Sequence, residues 1–238
     1  MSRSPRISAV PSIVELTPFY ANPPDGVRAN MIFSADGAAA FGGRAGPLSC
    51  ATDQRLLKIL RGLADVVLVG AGTARAENYG PVTLGDAARA RRCHEGRPEP
   101  PPVAVVSRSG DLPARLLRDP DRPPILVTCE STAARCDLDA DLQHILVAGE
   151  DSVDVSRALG ILREQGMGRI LCEGGPTLLD ELVEADAVDE ICVTIAPKLA
   201  AGQPVGHRRH PARLRAPVSM NLDHALVCEG YLYLKYSR

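Results

Sequence analysis

The chain has 238 residues, 45% hydrophobic and 3% aromatic, with no Trp and a formal net charge of -2. That is enough apolar material for a sizeable core, while the near-neutral charge gives no reason to invoke nucleic acid or an acidic membrane, and so few aromatics make no stacking platform for single strands. No run approaches the roughly 18 apolar residues of a membrane span, the N-terminus has no apolar core of signal-peptide length, and seven cysteines without a Cys-x-x-Cys pair read as reduced, mostly buried thiols of a cytoplasmic protein.

Residues 1–26 carry Pro5, Pro11, Pro18, Pro23 and Pro24. They are expected to form an extended N-terminal arm with no fold of its own, which Ile13, Val14 and Leu16 could pin. Residues 27–238 are expected to form a single domain. The first strand spans 27–33 and ends in Ser34-Ala35-Asp36-Gly37, a turn signal in which glycine supplies the special φ. A loop of small residues, 38–47, leads to a helix over 52–63, whose Leu56, Ile59, Leu60 and Leu63 recur at helical spacing. Thr52 or Ser49 is the expected cap, and Asp53 lies in the first turn, where a negative charge is favoured.

A continuous apolar run at 65–69 suits a strand buried on both faces. It runs into Gly70-Ala71-Gly72-Thr73 and on to Glu77, a glycine turn opening a helix. From 78 to 102 the pattern is lost, and a long surface loop with at most a helical turn is expected. Strands follow at 103–106, 125–128 and 145–147, the first stopping at Ser107-Arg108-Ser109-Gly110. A helix spans 155–162. Ile170-Leu171-Cys172 is a short strand stopped by Glu173. Gly174 and Gly175 allow positive φ or close approach of another molecule. Pro176 fits the first helical position, and Leu178, Leu179, Leu182 and Val183 share one face. Free amides at a helix N-terminus beyond a strand suit a phosphate.

The last strands are expected at 188–195, 222–227 and 231–235, with Leu232 and Leu234 as core positions. Between them, His207-Arg208-Arg209-His210 reads as a solvated loop rather than a metal or phosphate patch. Strands alternating with helices imply an α/β fold of three layers: a mostly parallel central sheet, helices on both faces, and an antiparallel C-terminal hairpin at its edge. Ligands of such sheets sit beyond the carboxyl ends of the strands, where the turns 34–37, 70–77, 107–110 and 173–177 lie.

Some residues keep two readings. Asp36 is either a turn former or a group in a pocket. Asp53 is either a helix-dipole acid or a substrate-binding one. Cys172, beside Glu173, reads as core rather than as a thiol catalyst.

In order along the chain, Ser34-Ala35-Asp36-Gly37, Leu60-Arg61-Gly62, Gly70 to Glu77, Glu173-Gly174-Gly175-Pro176-Thr177-Leu178, Val188-Asp189-Glu190 and Ile195-Ala196-Pro197-Lys198 resemble one family. This is the C-terminal pyrimidine reductase domain of the bifunctional riboflavin-biosynthesis deaminase/reductase, which has the dihydrofolate reductase fold. The resemblance covers about residues 27–236. The His-x-Glu and Pro-Cys-x-x-Cys of the zinc deaminase half are missing, so the chain resembles a stand-alone reductase.

What the resemblance implies is NADPH-dependent reduction of a ribosylamino-pyrimidinedione 5′-phosphate, as in a 5-amino-6-(5-phosphoribosylamino)uracil reductase, by a homodimer. Thr73, Glu77, Ser107, Gly174, Gly175, Pro176, Thr177 and Leu178 match cofactor-contacting positions. Arg108 beside Ser107 would read the 2′-phosphate. Arg61 and Glu173 match substrate-contacting positions, with another near Pro81. Asp36, Asp53 and Glu173 are the candidate catalytic carboxylates, and Asp53 is placed like the acid that dihydrofolate reductase turns to its pterin. Asn30 stands where relatives often carry Lys, Ala35 where they carry Leu, and a family Trp is replaced around Pro47. The alternatives are reduction of a pterin, as by dihydrofolate reductase, and a non-catalytic NADP-binding protein.

Overall fold

The runs at 65–69 and 103–106 consist of Val, Leu and Ala with hardly a polar break, and the fold encloses both in the middle of a sheet. The computed structural model describes residues 6–135, 143–202 and 214–238. Its strands are β1 (Arg6–Ala9), β2 (Val27–Ser34), β3 (Val66–Gly70), β4 (Val103–Val106), β5 (Ile125–Thr128), β6 (His144–Val147), β7 (Ile170–Cys172), β8 (Val188–Ala196), β9 (Asn221–Cys228) and β10 (Tyr231–Ser237). They form one sheet in the order β1-β9-β10-β8-β2-β7-β3-β4-β5-β6. All neighbouring pairs are parallel except those made by β10, which runs against β8 and β9.

Helices cover both faces, as expected. On one face α1 (Ile13–Leu16), α2 (Ala51–Leu63) and α3 (Ala71–Ala76) bury Leu16, Leu56, Leu60 and Ala74 with Val67, Val69 and Val105 of the sheet. On the other, α6 (Val155–Glu164) and α7 (Pro176–Glu184) bury Leu159, Leu162, Leu178 and Leu182 with Val66, Leu68 and Ile170. A short α5 (Glu130–Arg135) follows β5. At about 25 cal/mol per Å², such side chains make these two layers the main source of stability.

Several expectations are corrected. Residues 6–26 are not an arm without structure. β1 pairs with β9, and a 3₁₀ turn at Thr17–Tyr20 follows α1. Leu16 and Tyr20 are buried in the core. Arg28 donates to the carbonyls of Tyr20 (2.9 Å) and Asn22 (3.2 Å), and Lys235 to that of Phe19 (3.0 Å), so the segment is tied down by backbone acceptors that sequence patterns do not reveal.

The stretch 78–102 is not all loop, because α4 (Asp86–His94) runs through it. This helix has no leucine stripe. It is held by Arg92, fully buried, which donates to the carbonyls of Ala64 (2.5 Å), Pro98 (2.7 Å) and Gly62 (3.3 Å). The cap of α2 is Cys50, whose Sγ accepts from the Asp53 amide, rather than Thr52 or Ser49. The C-terminal hairpin is antiparallel, but it lies inside the sheet, with β1 beyond it. Within β10 the buried residues are Tyr231 and Tyr233, while Leu232 is 40% exposed and Leu234 half-buried. The 207–210 patch lies outside the described residues.

Candidate active site

β2, β7, β3 and β4 are consecutive neighbours, so the turns that follow them line one edge of the sheet side by side. Two of these turns touch. The Gly70 amide donates to the Gly174 carbonyl at 2.8 Å. A Cβ on Gly175 would lie 2.3 Å from Thr73 Oγ1. A side chain at Gly175 would have to displace the Thr73 hydroxyl. Gly174 has φ +78°, and its amide donates to the buried Cys172 Sγ at 3.4 Å. The Gly174–Gly175 peptide is cis.

Gly175 caps α7, with Pro176 in its first turn. The amides of Thr177 and Leu178 then fall among those a helix leaves unpaired, at its positive end. Thr177 is exposed, whereas the Leu178 side chain is buried in the core, so its contribution to the edge is its amide.

Beside the glycine pair, three residues from three elements converge. Arg61, near the end of α2, donates from Nε and Nη2 to the two oxygens of Glu173, each at 2.6 Å. The Tyr79 hydroxyl donates to Glu173 Oε2 at 2.5 Å, and the Arg61 guanidinium lies 5.4 Å from the centre of the Tyr79 ring. Burial works against the Arg61 charge, but the Glu173 carboxylate outweighs it, so the guanidinium holds its proton more tightly than usual. Burial first, and then the Glu173 charge, push the Tyr79 hydroxyl well above its ordinary range, leaving it a donor. The Glu173 side chain is 3% exposed and that of Arg61 21%, so part of the guanidinium edge still reaches solvent. The sequence reading names Arg61 and Glu173 but misses Tyr79. Its only signal is a lone tyrosine two positions past the glycine turn, in a chain with five.

The remaining candidates separate. Asp53, in the first turn of α2, accepts from Ser49 Oγ at 2.6 Å. Burial raises its carboxyl above the ordinary value, against the hydrogen bonds from Ser49 and Thr194 of β8. Asp36 is occupied in holding a loop. It accepts from Ser34 Oγ (2.5 Å) and from the amides of Ala200 and Ala201 (3.1 and 2.8 Å), and these bonds lower its pKa.

Glu77 is likewise turned to the protein, taking the Ala45 amide at 2.5 Å and lying 3.5 Å from Arg44. Ser107 is buried at the end of β4, where its hydroxyl donates to the Asp111 carbonyl at 3.2 Å. Arg108 beside it is exposed, and its carbonyl accepts from Thr132 Oγ1 at 2.5 Å. Pro81 is not at this edge. It lines a cavity of about 660 Å³ with Val103, Ile125 and His144, the first residues of β4, β5 and β6, and so at the amino end of the sheet. Burial pushes the Cys172 thiol up to about 12, consistent with a core residue.

Comparison with known proteins bears on this edge. The profile of the RibD C-terminal domain matches residues 26–223. A protein of Archaeoglobus fulgidus named 2,5-diamino-6-ribosylamino-4(3H)-pyrimidinone 5′-phosphate reductase is 29% identical over 194 residues, 80% of each chain. Among solved structures, a pyrimidine reductase-like protein of Corynebacterium diphtheriae superposes with a TM-score of 0.78 at 25% identity, covering 95% of this chain and 98% of the other. The deaminase/reductase of Thermotoga maritima, at 16% identity, shares the fold with a TM-score of 0.67 over 90% of this chain and 56% of its own. The ordered turns, their place along one sheet edge and the match over most of the chain agree: the chain belongs to the RibD C-terminal domain family.

Proposed function

We propose that this chain is an NADPH-dependent reductase of a ribosylamino-pyrimidine 5′-phosphate in riboflavin synthesis. One observation carries the reading. The two glycine turns meet with the Thr73 hydroxyl against Gly175, and the Arg61–Glu173–Tyr79 cluster stands directly beside them. The residues present fit a dinucleotide. A Cβ-free surface at Gly175 and the α7 amides suit a pyrophosphate, and Thr73 offers a hydroxyl. The exposed Arg108 side chain is the candidate reader of a 2′-phosphate. When bound, the cofactor supplies the hydride.

The protein then has to orient the sugar carbon and provide a proton. Both oxygens of Glu173 are taken up by Arg61 and Tyr79, so its role is to orient the Arg61 guanidinium toward a substrate phosphate or hydroxyl. Asp53, whose proton is retained to higher pH by burial, is the candidate acid. The named relatives favour a diamino-pyrimidinone ring, while the sequence resemblance implies the uracil form.

Loss of NADPH absorbance with each phosphate is the direct test. Oxidation with neither, although NADPH binds, would leave the non-catalytic reading. Turnover of dihydrofolate alone would favour the pterin reading.

The homodimer expected from the resemblance has a physical motive. β8 alternates buried and half-buried residues, and on the same face as Ile191, which packs against the core beneath α6 and α7, stand the apolar Val193 and Ile195. Leu232 and Val227 on neighbouring strands are 40% and 41% exposed. A second copy of this chain is the proposed cover.

A further inference from the structure

The chain enters α2 through Pro47, Leu48 and Ser49, and side chains from the C-terminal strands bind the carbonyls of all three. Lys198, just past the end of β8, donates from Nζ to the Pro47 carbonyl at 2.7 Å and to the Ser49 carbonyl at 3.2 Å. The Tyr231 hydroxyl, at the start of β10, donates to the Leu48 carbonyl at 3.1 Å and lies 3.5 Å from that of Ser49. The two clamping residues also meet each other, the Lys198 ammonium standing 5.9 Å from the centre of the Tyr231 ring. Tyr231 and Leu48 are buried, and Lys198 is half-buried. The clamped segment ends at the residue that fixes Asp53. Ser49 Oγ donates to Asp53 Oδ2 at 2.6 Å, and the Cys50 carbonyl is a competing acceptor at 3.4 Å. A hydroxyl has one proton to give, so the direction of this bond depends on where the Ser49 backbone is held.

We propose that Lys198 is a positioning residue for the acid Asp53. With Tyr231 it clamps the carbonyls of 47–49, so that the Ser49 hydroxyl stays on Asp53 Oδ2 and the carboxyl keeps one orientation. Lys198 acts through Ser49 and not on the reacting atoms, because its ammonium is turned to backbone carbonyls. The inference deepens the proposed reductase reading and rests on it, since that reading makes Asp53 the acid. The Ser49 bond favours the charged carboxylate and so opposes the burial that raises the Asp53 carboxyl. Releasing Ser49 would leave the acid both loosely held and harder to deprotonate. Around Asp53 stand Cys50, whose Sγ accepts from its amide, Thr194 of β8, Tyr20 of the 3₁₀ turn and Tyr233 of β10. Burial pushes both tyrosine hydroxyls up, so neither carries charge when Asp53 titrates.

The test pairs a spectrum with kinetics. In the full chain made with carboxyl-labelled aspartate, the carboxyl resonance of Asp53, assigned by its loss in Asp53→Asn, follows the group directly. Lys198→Met and Tyr231→Phe are both expected to move its titration midpoint to higher pH, the second without any change of charge. With NADPH and whichever phosphate the wild type reduces, both variants should lose kcat by on the order of tenfold while KM stays unchanged. Lys198→Arg, which still donates to carbonyls, should keep most of the rate. In an Asp53→Asn background Lys198→Met should cost nothing further. Tyr231→Phe keeps its ring in the core and covers the case in which Lys198→Met fails to fold. An unchanged Asp53 midpoint in the folded variants, or losses that add in the double variant, would overturn the assignment while leaving the reductase reading in place. A wild type that reduces neither phosphate would overturn the reductase reading and the positioning role with it.

Discussion

At the scale of single residues, the edge of the sheet is specified by fit and by charge pairing. At Gly175 a Cβ would lie 2.3 Å from Thr73 Oγ1, so a larger residue there would have to push the Thr73 hydroxyl aside. Gly175→Val should abolish NADPH binding, measured by calorimetry, while the far-UV spectrum is kept; unchanged affinity would make the turn purely structural. Arg108→Ala should weaken NADPH by about tenfold and leave NADH unaffected, since losing a charge-assisted bond costs roughly 1.5–3 kcal/mol. Equal affinities of the wild type for the two cofactors would refute that assignment.

Asp53 makes a prediction about stability. Its folded-state pKa is raised, chiefly by burial. The unfolded chain therefore gives up this proton first as pH rises, and stability falls from the ordinary carboxylate range up to the raised value. Asp53→Asn should remove that loss. The variant gains in urea midpoint over the wild type at neutral pH, the gain vanishes below about pH 3.9, and turnover drops. A midpoint difference independent of pH would contradict the raised value.

At the scale of elements, the N-terminal segment and α4 show where pattern reading stops. Leucine and valine periodicity locates α2, α6, α7 and the central strands, because apolar spacing is written into the chain. It misses β1, a four-residue strand whose existence depends on pairing with β9, and α4, whose anchor is a buried arginine bonded to carbonyls. The N-terminal segment also encloses His224, which meets the rings of Phe19 and Tyr20 edge-on at 5.3 and 5.0 Å. Burial, and then the Lys235 charge, push this imidazole down to about 4. The unfolded chain takes up the proton near pH 6.5 and the folded one does not, so stability declines as pH falls through that interval. His224→Phe should flatten the decline in urea unfolding between pH 6.5 and 4; an unchanged slope would show that the ring is not held neutral.

At the scale of the whole molecule, the helices among the described residues cover both faces of the sheet around β2, β7 and β3, and one face around β8, β10 and β9. The half-buried Val193 and Ile195, with the exposed Leu232 and Val227, are the surface expected between two copies. Leu232→Asp should convert a dimer to a monomer in light scattering with the fold intact, and a wild type that is already a monomer would refute the proposal.

The sequence by itself determined the α/β class, nine strands, the glycine turns and the family, because each is carried by local spacing or by an ordered string of residues. Tertiary structure alone decided which carboxylates are free. Asp36 and Glu77 are taken up by loop amides, Glu173 by Arg61 and Tyr79, and Pro81 lies at the opposite end of the sheet. It also set Lys198 against the Ser49 carbonyl, 149 positions away in the chain. The physical reason is the same in each case. Hydrogen-bond partners and strand neighbours are distant in sequence, and only packing brings them within reach.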